Sequence, residues 1–242
     1  MRLIFRVLFI IVPILSNLQA SAVHRNKGSE GKLTQIFFVR HGQTQWNIVG
    51  KCQGQTDIPL NDQGIEQARK LAQKLKIYID EIDVIYSSDL QRAHATAIEI
   101  GTAIEKEVHL DSDLREMFHG KAQGMTKKEI HDAFGELQDA FNKKYPNFRE
   151  RWNYTVIPGA ETRNQVLHRL FNFLDRIVPL HKGKIIIIVT HSDVIKSFIT
   201  HCSNLTQEPS NCGIAEFLYD STKNKDIQYT FCGINELNES NN

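Results

Sequence analysis

The run Ile185-Ile186-Ile187-Ile188-Val189 constrains the fold of this chain more than any other stretch. Consecutive β-branched residues with no polar position among them are typical of a strand buried on both faces, as in a parallel sheet covered by helices. Two more strands are predicted from apolar runs, at about residues 33–39 and 84–86. The sequence therefore predicts a mostly parallel sheet inside an α/β protein.

Segments with helical periodicity alternate with these strands. Between residues 63 and 76, one apolar stripe is formed by Ile65, Ala68, Leu71, Ala72 and Leu75. Further helices are predicted at 90–100 (starting from Asp89), around 127–143, at 163–178 and at 193–201, and shorter strands at 108–110, 215–219 and 228–231. This order predicts an α/β fold, a three-layer αβα sandwich with a mostly parallel mixed sheet.

The first 22 residues have the layout of a secretory signal peptide. Arg2 and Arg6 form a positive start, residues 7–15 are apolar, and small residues follow at Ala20-Ser21-Ala22. An apolar stretch of this length is far shorter than the roughly 20 residues that span a bilayer. We predict export to the periplasm or the exterior, with cleavage after Ala22 and no stable membrane span afterwards. An uncleaved anchor is the alternative.

The rest of the chain is predicted to be one domain that follows a short polar segment. Residues 23–32 are polar and are predicted to be a disordered lead-in, and residues 33–235 to be the domain. Within it, residues 111–152 are polar and irregular. We predict that they form a cap-like insertion over a binding crevice.

Charge and cysteine content narrow the function classes. The formal net charge of +1 gives no electrostatic basis for binding nucleic acid. Exported proteins can form disulfides, and the four cysteines allow three pairings, of which one within the C-terminal group is expected. No C-x-x-C spacing indicates zinc. The cysteines are Cys52, Cys202, Cys212 and Cys232. The sequence does not indicate the oligomeric state.

The three most clearly predicted strands end in polar residues that could bind or react with a ligand. They run into Arg40-His41-Gly42, into Ser87-Ser88-Asp89 with Arg92 just beyond, and into Thr190-His191-Ser192. Parallel neighbours would bring these ends together at one crevice. Guanidinium groups bind phosphoryl oxygens through paired, charge-assisted hydrogen bonds, and a neutral imidazole can attack phosphorus. The pattern predicts a phosphate-ester site without a carboxylate cluster for Mg²⁺ or a Gly-rich P-loop.

These residues resemble the signature of the histidine phosphatase superfamily, branch 1, also called the phosphoglycerate mutase-like family, and within it the broad-specificity phosphatases. The likeness extends in order along about residues 33–220. The matching motifs are Arg40-His41-Gly42-Gln43-Thr44 with Asn47, Gln53-Gly54-Gln55-Thr56-Asp57-Ile58-Pro59-Leu60, Tyr86-Ser87-Ser88-Asp89-Leu90-Gln91-Arg92-Ala93, Leu114-Arg115-Glu116, Pro158-Gly159-Ala160-Glu161 and Val189-Thr190-His191.

The resemblance implies a role for each matching residue. His41 would be the nucleophile that becomes phosphohistidine, and Glu116 would protonate the leaving oxygen and then activate water. The phosphoryl group would be held by Arg40, Arg92 and His191, with neutral hydrogen bonds from Asn47 and Gln53. Such a clamp stabilises the charge of a loose phosphoryl-transfer transition state. No metal or other cofactor is implied.

Three functions stay open. We favour a metal-independent phosphomonoesterase acting on a small-molecule phosphate ester. A phosphoglycerate mutase-type phosphoryl transferase is the first alternative, but the Arg-Arg pair and proline run of such mutases are absent here. A catalytically silent exported binding protein is the second, although all five core residues are present. Ser192-Asp193 departs from the Gly-Gly or Gly-Asn of many members, and its role is left open.

Overall fold

A single six-stranded sheet lies at the centre of the structure, a computed structural model that describes residues 33–236. Its strands are β1 (Leu33–Arg40), β2 (Ile82–Ser87), β3 (Val108–Leu110), β4 (Ile185–Thr190), β5 (Ile214–Asp220) and β6 (Tyr229–Asn235). The helices are α1 (Gln45–Ile48), α2 (Asp62–Lys76), α3 (Gln91–Ile104), α4 (Lys127–Lys144), α5 (Arg163–Ile177) and α6 (Ser192–Ser203). The predicted signal peptide (1–22) and lead-in (23–32) lie outside the described residues.

The strand order is β3-β2-β4-β1-β5-β6. The first four strands in this order run parallel, whereas β5 and β6 pair antiparallel. The sheet is therefore mixed and mostly parallel, as predicted. β4 lies between β2 and β1, so that the carboxyl ends of these three strands meet at one edge of the sheet.

Helices cover both faces of the sheet, which confirms the three-layer αβα architecture. Along β4, Ile185, Ile187 and Val189 pack with α2 and α3 on one face. Ile186 and Ile188 pack with α5 and α6 on the other. Burying one such side chain contributes about 1.5–3 kcal/mol, so this strand anchors both layers of the core.

Capping residues explain where several helices begin. The Asn61 side chain accepts a hydrogen bond from the Gly64 N–H at the start of α2, and Thr162 forms a capping box with Gln165 at the start of α5. The prediction that Asp89 begins a helix was wrong. Helix α3 begins at Gln91, whose N–H donates to the Asp57 carboxylate over 2.8 Å, whereas the Asp89 carboxylate accepts hydrogen bonds from Arg115.

The expected disulfide among the C-terminal cysteines was also wrong, since all four cysteines are free thiols. Cys212 belongs to the core on the α2–α3 face, whereas Cys202 packs against the core on the opposite face. The sheet therefore separates two of the candidates, and Cys232 is exposed on the edge strand β6. Burial raises the pKa of the Cys202 and Cys212 thiols to about 12, which keeps them protonated.

Residues 111–152 contain α4 and three short 3₁₀ turns, and no residue of α4 is fully buried. Trp152, at the end of this segment, is buried against the α5–α6 core. The interpretation of the segment as a cap over the crevice stays a prediction. Between residues 33 and 236, no helix combines the length and the apolar character needed to span a membrane.

Candidate active site

The strand ends predicted to converge do meet, at one edge of the sheet. Arg40 pairs in register with Thr190 across β1 and β4, and the His41 N–H donates to the Thr190 carbonyl oxygen over 3.0 Å. The following residue on each strand is a histidine. The rings of His41 and His191 lie 5.2 Å apart between centroids, and both side chains are buried.

Hydrogen bonds define which nitrogen of His41 carries the proton. Nδ1 lies 2.7 Å from the Gly42 carbonyl oxygen, and because that oxygen only accepts, Nδ1 must carry the proton. Nε2 accepts a hydrogen bond from Nε of Arg92 over 3.3 Å. Burial, followed by the charges of Arg92 and Arg40, lowers the pKa of His41 well below its ordinary value. His41 is therefore neutral, with its lone pair on Nε2.

Gly42 lets the loop that follows β1 lie against the start of α2. A Cβ atom at Gly42 would lie 2.5 Å from the Gly64 carbonyl oxygen. Any side chain there would push the loop and α2 apart. The Gly42 N–H also donates to the Thr96 hydroxyl of α3 over 3.0 Å. The glycine thus lets two helices fix the backbone that carries His41.

Arg92 is fully buried beside His41, on the first turn of α3. Its terminal nitrogens donate to the carbonyl oxygens of Thr56 and Gly54 over 2.9 and 2.7 Å. Burial lowers the pKa of this guanidinium, although the charge of Glu116 opposes the shift. Because its hydrogen-bond partners are neutral, Arg92 keeps a concentrated positive charge directed at the site.

His191 and Arg40 bring buried nitrogens without partners into the same crevice. Nε2 of His191 is 2.9 Å from the Ser88 hydroxyl, and Nη1 of Arg40 donates to the Pro209 carbonyl oxygen over 2.9 Å. Within residues 33–236, Nδ1 of His191 and Nε of Arg40 are buried and have no hydrogen-bond partner. The Arg40 N–H is costly unless an acceptor satisfies it, and a phosphoryl oxygen would do so; the same oxygen would satisfy His191 in the tautomer with its proton on Nδ1.

Asn47 and Gln53 are brought together by Thr44. The Asn47 side-chain oxygen accepts from the Thr44 N–H over 3.0 Å, and the Gln53 oxygen accepts from the Thr44 hydroxyl over 3.0 Å. With its oxygen engaged, each amide presents its NH₂ group as its remaining hydrogen-bonding group. Donors of this kind suit the oxygens of an anion.

Glu116 is a buried carboxyl group held by backbone donors. Its Oε1 accepts from the Met117 N–H over 2.8 Å, and its Oε2 lies 3.4 Å from the Asp193 N–H. Burial raises the pKa of Glu116, and the Asp193 charge raises it further, whereas His119 and Arg92 lower it. Glu116 therefore retains a proton at higher pH than an ordinary glutamate, as a general acid requires.

Sequence patterns did not indicate Arg169, which holds the backbone of the acid in place. From α5 it donates to the carbonyl oxygens of Asp113 and Glu116 over 2.7 and 3.1 Å. It also forms an ion pair with Glu161 at 3.0 Å, and its side chain is only 14% exposed. A single arginine on a polar helix face carries no sequence signal for this contact.

Replacing Arg169 by leucine should destabilise the protein by about 3 kcal/mol, because it removes the partner of a largely buried carboxylate and two carbonyl contacts. Arg176→Leu is the matched control on the same helix. Arg176 forms ion pairs with Asp111 and Asp113 but is 51% exposed, so its loss should cost about 1 kcal/mol or less. Urea unfolding of both variants measures the difference, and equal losses would contradict this account.

No three His, Cys, Asp or Glu side chains within the described part of the chain are grouped as metal ligands would be. The positive groups that face the crevice are arginines. The arrangement can hold an anion with several oxygens against a neutral imidazole nitrogen, near a carboxyl group whose pKa is raised.

Comparisons with known proteins agree with this geometry. The family model described as histidine phosphatase superfamily (branch 1) matches residues 36–225. The chain is 38% identical over 164 residues to phosphoglycerate mutase-like protein 4 of Arabidopsis thaliana, covering 67% of this chain and 68% of that protein. It is 36% identical to the metal-independent phosphoserine phosphatase of the same plant, covering 69% of this chain and 68% of the relative.

A solved structure shows the same fold around a bound phosphate ester. A mutant phosphoserine phosphatase from Entamoeba histolytica, in complex with phosphoserine, superposes with a TM-score of 0.68 at 27% identity. The match covers 84% of this chain and 96% of that structure. The predicted likeness, the convergent site and these relatives agree: the chain belongs to branch 1 of the histidine phosphatase superfamily.

Proposed function

We propose that this protein is a metal-independent phosphomonoesterase that acts through a phosphohistidine on His41. The observation that carries the proposal is the proton position on His41. Its Nδ1 proton is directed to the Gly42 carbonyl oxygen, so the Nε2 lone pair meets a fully buried guanidinium, that of Arg92. A nucleophilic atom thus lies where a phosphoryl group would be bound.

In the first step, Nε2 of His41 forms a bond to phosphorus as the ester P–O bond breaks. The electron pair leaves with the ester oxygen, which takes the proton of the Glu116 carboxyl. Arg40, Arg92 and His191 hold the three equatorial oxygens, with Asn47 and Gln53 as neutral donors. Charge spreads over these oxygens in the transition state, and preorganised donors stabilise it.

In the second step, water attacks phosphorus on the opposite side from His41. The N–P bond breaks, its electron pair returns to Nε2, and the proton of the water passes to the Glu116 carboxylate. Inorganic phosphate leaves, and both residues return to their starting states. One carboxyl group therefore serves as acid and then as base, which favours a pKa near the working pH.

Metal independence is supported by the charges of the site and by a relative. Phosphatases often neutralise phosphoryl oxygens with metal ions. In this crevice Arg40 and Arg92 can supply the positive charge directly, and guanidinium groups bind such oxygens in pairs. The 36% identical Arabidopsis relative is named a metal-independent phosphoserine phosphatase. A small phosphate ester such as phosphoserine is accordingly the first substrate class to test.

The pure protein should hydrolyse p-nitrophenyl phosphate in the presence of EDTA, with higher activity at mildly acidic pH. Release of p-nitrophenol measures this directly, and a panel of phosphate esters extends it to physiological substrates. Absence of turnover on the whole panel at acidic and neutral pH would refute the phosphatase and favour a binding protein. Formation of 2-phosphoglycerate from 3-phosphoglycerate would favour a mutase instead.

Export is a separate proposal, and it depends on residues 1–22 alone. Their positive start, short apolar core and Ala20-Ser21-Ala22 support a cleaved signal peptide. The mature chain would then begin at Val23. N-terminal sequencing of protein recovered from the exported fraction tests both the destination and the cleavage position.

A further inference from the structure

A second carboxylate lies beside the proposed general acid and has no part in the steps above. Asp193 is in the first turn of α6, two residues after His191. Its backbone N–H faces Oε2 of Glu116 at 3.4 Å. Its own carboxylate is turned to His119, whose Nε2 lies 3.0 Å from Oδ2 of Asp193. Asp193 thus contacts the Glu116 carboxyl through its backbone N–H and contacts His119 through its side chain.

His119 is held as the ion-pair partner of Asp193. The two side chains are only 20% and 28% exposed, so the pair is largely shielded from water. Burial alone would lower the pKa of His119, but its hydrogen bond with the Asp193 carboxylate, assisted by the nearby Cys52, raises it well above the ordinary value. His119 is therefore protonated at neutral pH, and it in turn lowers the pKa of Asp193.

The charges that act on Glu116 come from three directions. Asp193 acts from the start of α6, His119 from the loop that carries Glu116, and Arg92 from α3. The first favours the protonated carboxyl, and the other two favour the carboxylate. Asp193 itself also faces Arg163 of α5 and Lys196 of its own helix. Burial is the largest influence that keeps the proton on Glu116, and among these charges only that of Asp193 acts in the same direction.

We propose that Asp193 is a positioning residue for Glu116: its backbone N–H fixes one carboxyl oxygen, and its side chain, held by His119, keeps a negative charge beside that carboxyl group. The inference rests on the proposed function, since it concerns the same acid. The proposal gives a role to the shielded His119–Asp193 ion pair, which takes no direct part in protonating the leaving group. Because Asp193 lies at the start of α6, its N–H is free of helical bonding and can hold Oε2 of Glu116 more rigidly than a flexible side chain would.

Two variants with opposite expected effects test the proposal. Asp193→Asn keeps the size and the backbone N–H but removes the negative charge, so the alkaline limb of kcat/KM for ethyl phosphate should move to lower pH. The shift should be at most about one unit, because His119 loses the partner that keeps it protonated and its opposing charge weakens too. His119→Gln removes a positive charge, so that limb should move to higher pH. Asp139→Asn, an exposed change on α4, is the matched control and should leave the profile unchanged.

Titration of the Glu116 carboxyl separates this proposal from the proposed function. Its ¹³C signal in glutamate-labelled protein, assigned by its absence in Glu116→Gln, reports protonation without any turnover. If wild-type protein fails to hydrolyse phosphate esters, the proposed phosphatase function is refuted. The carboxyl titration still tests the effect of Asp193 on Glu116. Titration of Glu116 at the same pH in wild-type protein and Asp193→Asn, or shifts in one direction in both variants, would overturn the inference.

Discussion

Replacing His41 by alanine is expected to lower hydrolysis of every phosphate ester by roughly 10⁴-fold or more, because no other group in the crevice can form the covalent intermediate. The ring of His191 lies 5.2 Å from that of His41, and the proposed function uses it to hold a phosphoryl oxygen. The same variant should lose acid-labile labelling by a ³²P-phosphate ester. Initial rates and acid-quenched labelling measure the two effects.

Urea unfolding of His41→Ala is expected to show a folded protein, which would exclude unfolding as the cause of that loss. Burial lowers the pKa of His41, so below the ordinary histidine pKa of about 6.5 folding carries the cost of keeping this ring neutral, and alanine removes that cost at acidic pH. His131→Ala, an exposed change on α4, is the matched control and should keep full activity and labelling. Labelling that persists in His41→Ala would mean that another residue is the nucleophile.

The sequence was sufficient for the fold because its strongest signal lies in the middle of the sheet. The β-branched run of β4 could only be buried on both faces, and its neighbours β1 and β2 had similar apolar runs. Since parallel strands end at one edge, placing these three strands side by side also placed His41, Arg92 and His191 together. The fold and the convergence of these three strand ends were therefore predicted from one pattern, whereas Glu116, Asn47 and Gln53 were predicted from the family resemblance.

Contacts that depend on exact side-chain geometry could not be predicted in this way. Arg169 reaches the Glu116 carbonyl from a helix more than fifty positions away in the sequence. The Asp193–His119 ion pair joins a helix start to a distant loop. Cysteine spacing suggested a disulfide, yet Cys202 and Cys212 lie on opposite faces of the sheet. Distances between loops follow from the three-dimensional packing, and local periodicity does not contain them.

The buried arginine at the centre of the site shows how stability and function are linked. Enclosing a guanidinium costs several kcal/mol unless it is well hydrogen-bonded. Arg92 meets that cost with the Thr56 and Gly54 carbonyl oxygens, which belong to the loop after α1. The loop is thereby fixed by the same residue that supplies positive charge to the crevice. A bound anion would add a charged partner and should make the enclosure more favourable.

Glu116→Gln should have an effect that depends on the leaving group. For an alkyl phosphate such as ethyl phosphate, the leaving alkoxide needs a proton, and loss of the general acid should lower kcat/KM by about 10²–10⁴-fold. For p-nitrophenyl phosphate, the leaving phenolate is stable without a proton, so kcat/KM should stay within a few-fold of wild type. Comparing the two substrates in one variant therefore isolates the proton donated in the first step.

The second step gives Glu116→Gln a further signature with p-nitrophenyl phosphate. Without a base to activate water, the phosphohistidine should accumulate, so that kcat falls and p-nitrophenol appears as a burst of about one equivalent per enzyme. Glu136→Gln, an exposed change on α4, is the matched control and should show no burst. Equal losses of kcat/KM for both substrates would assign Glu116 to binding rather than to proton transfer. Because a single carboxyl group is proposed for both steps, the leaving-group dependence and the burst should occur in the same variant.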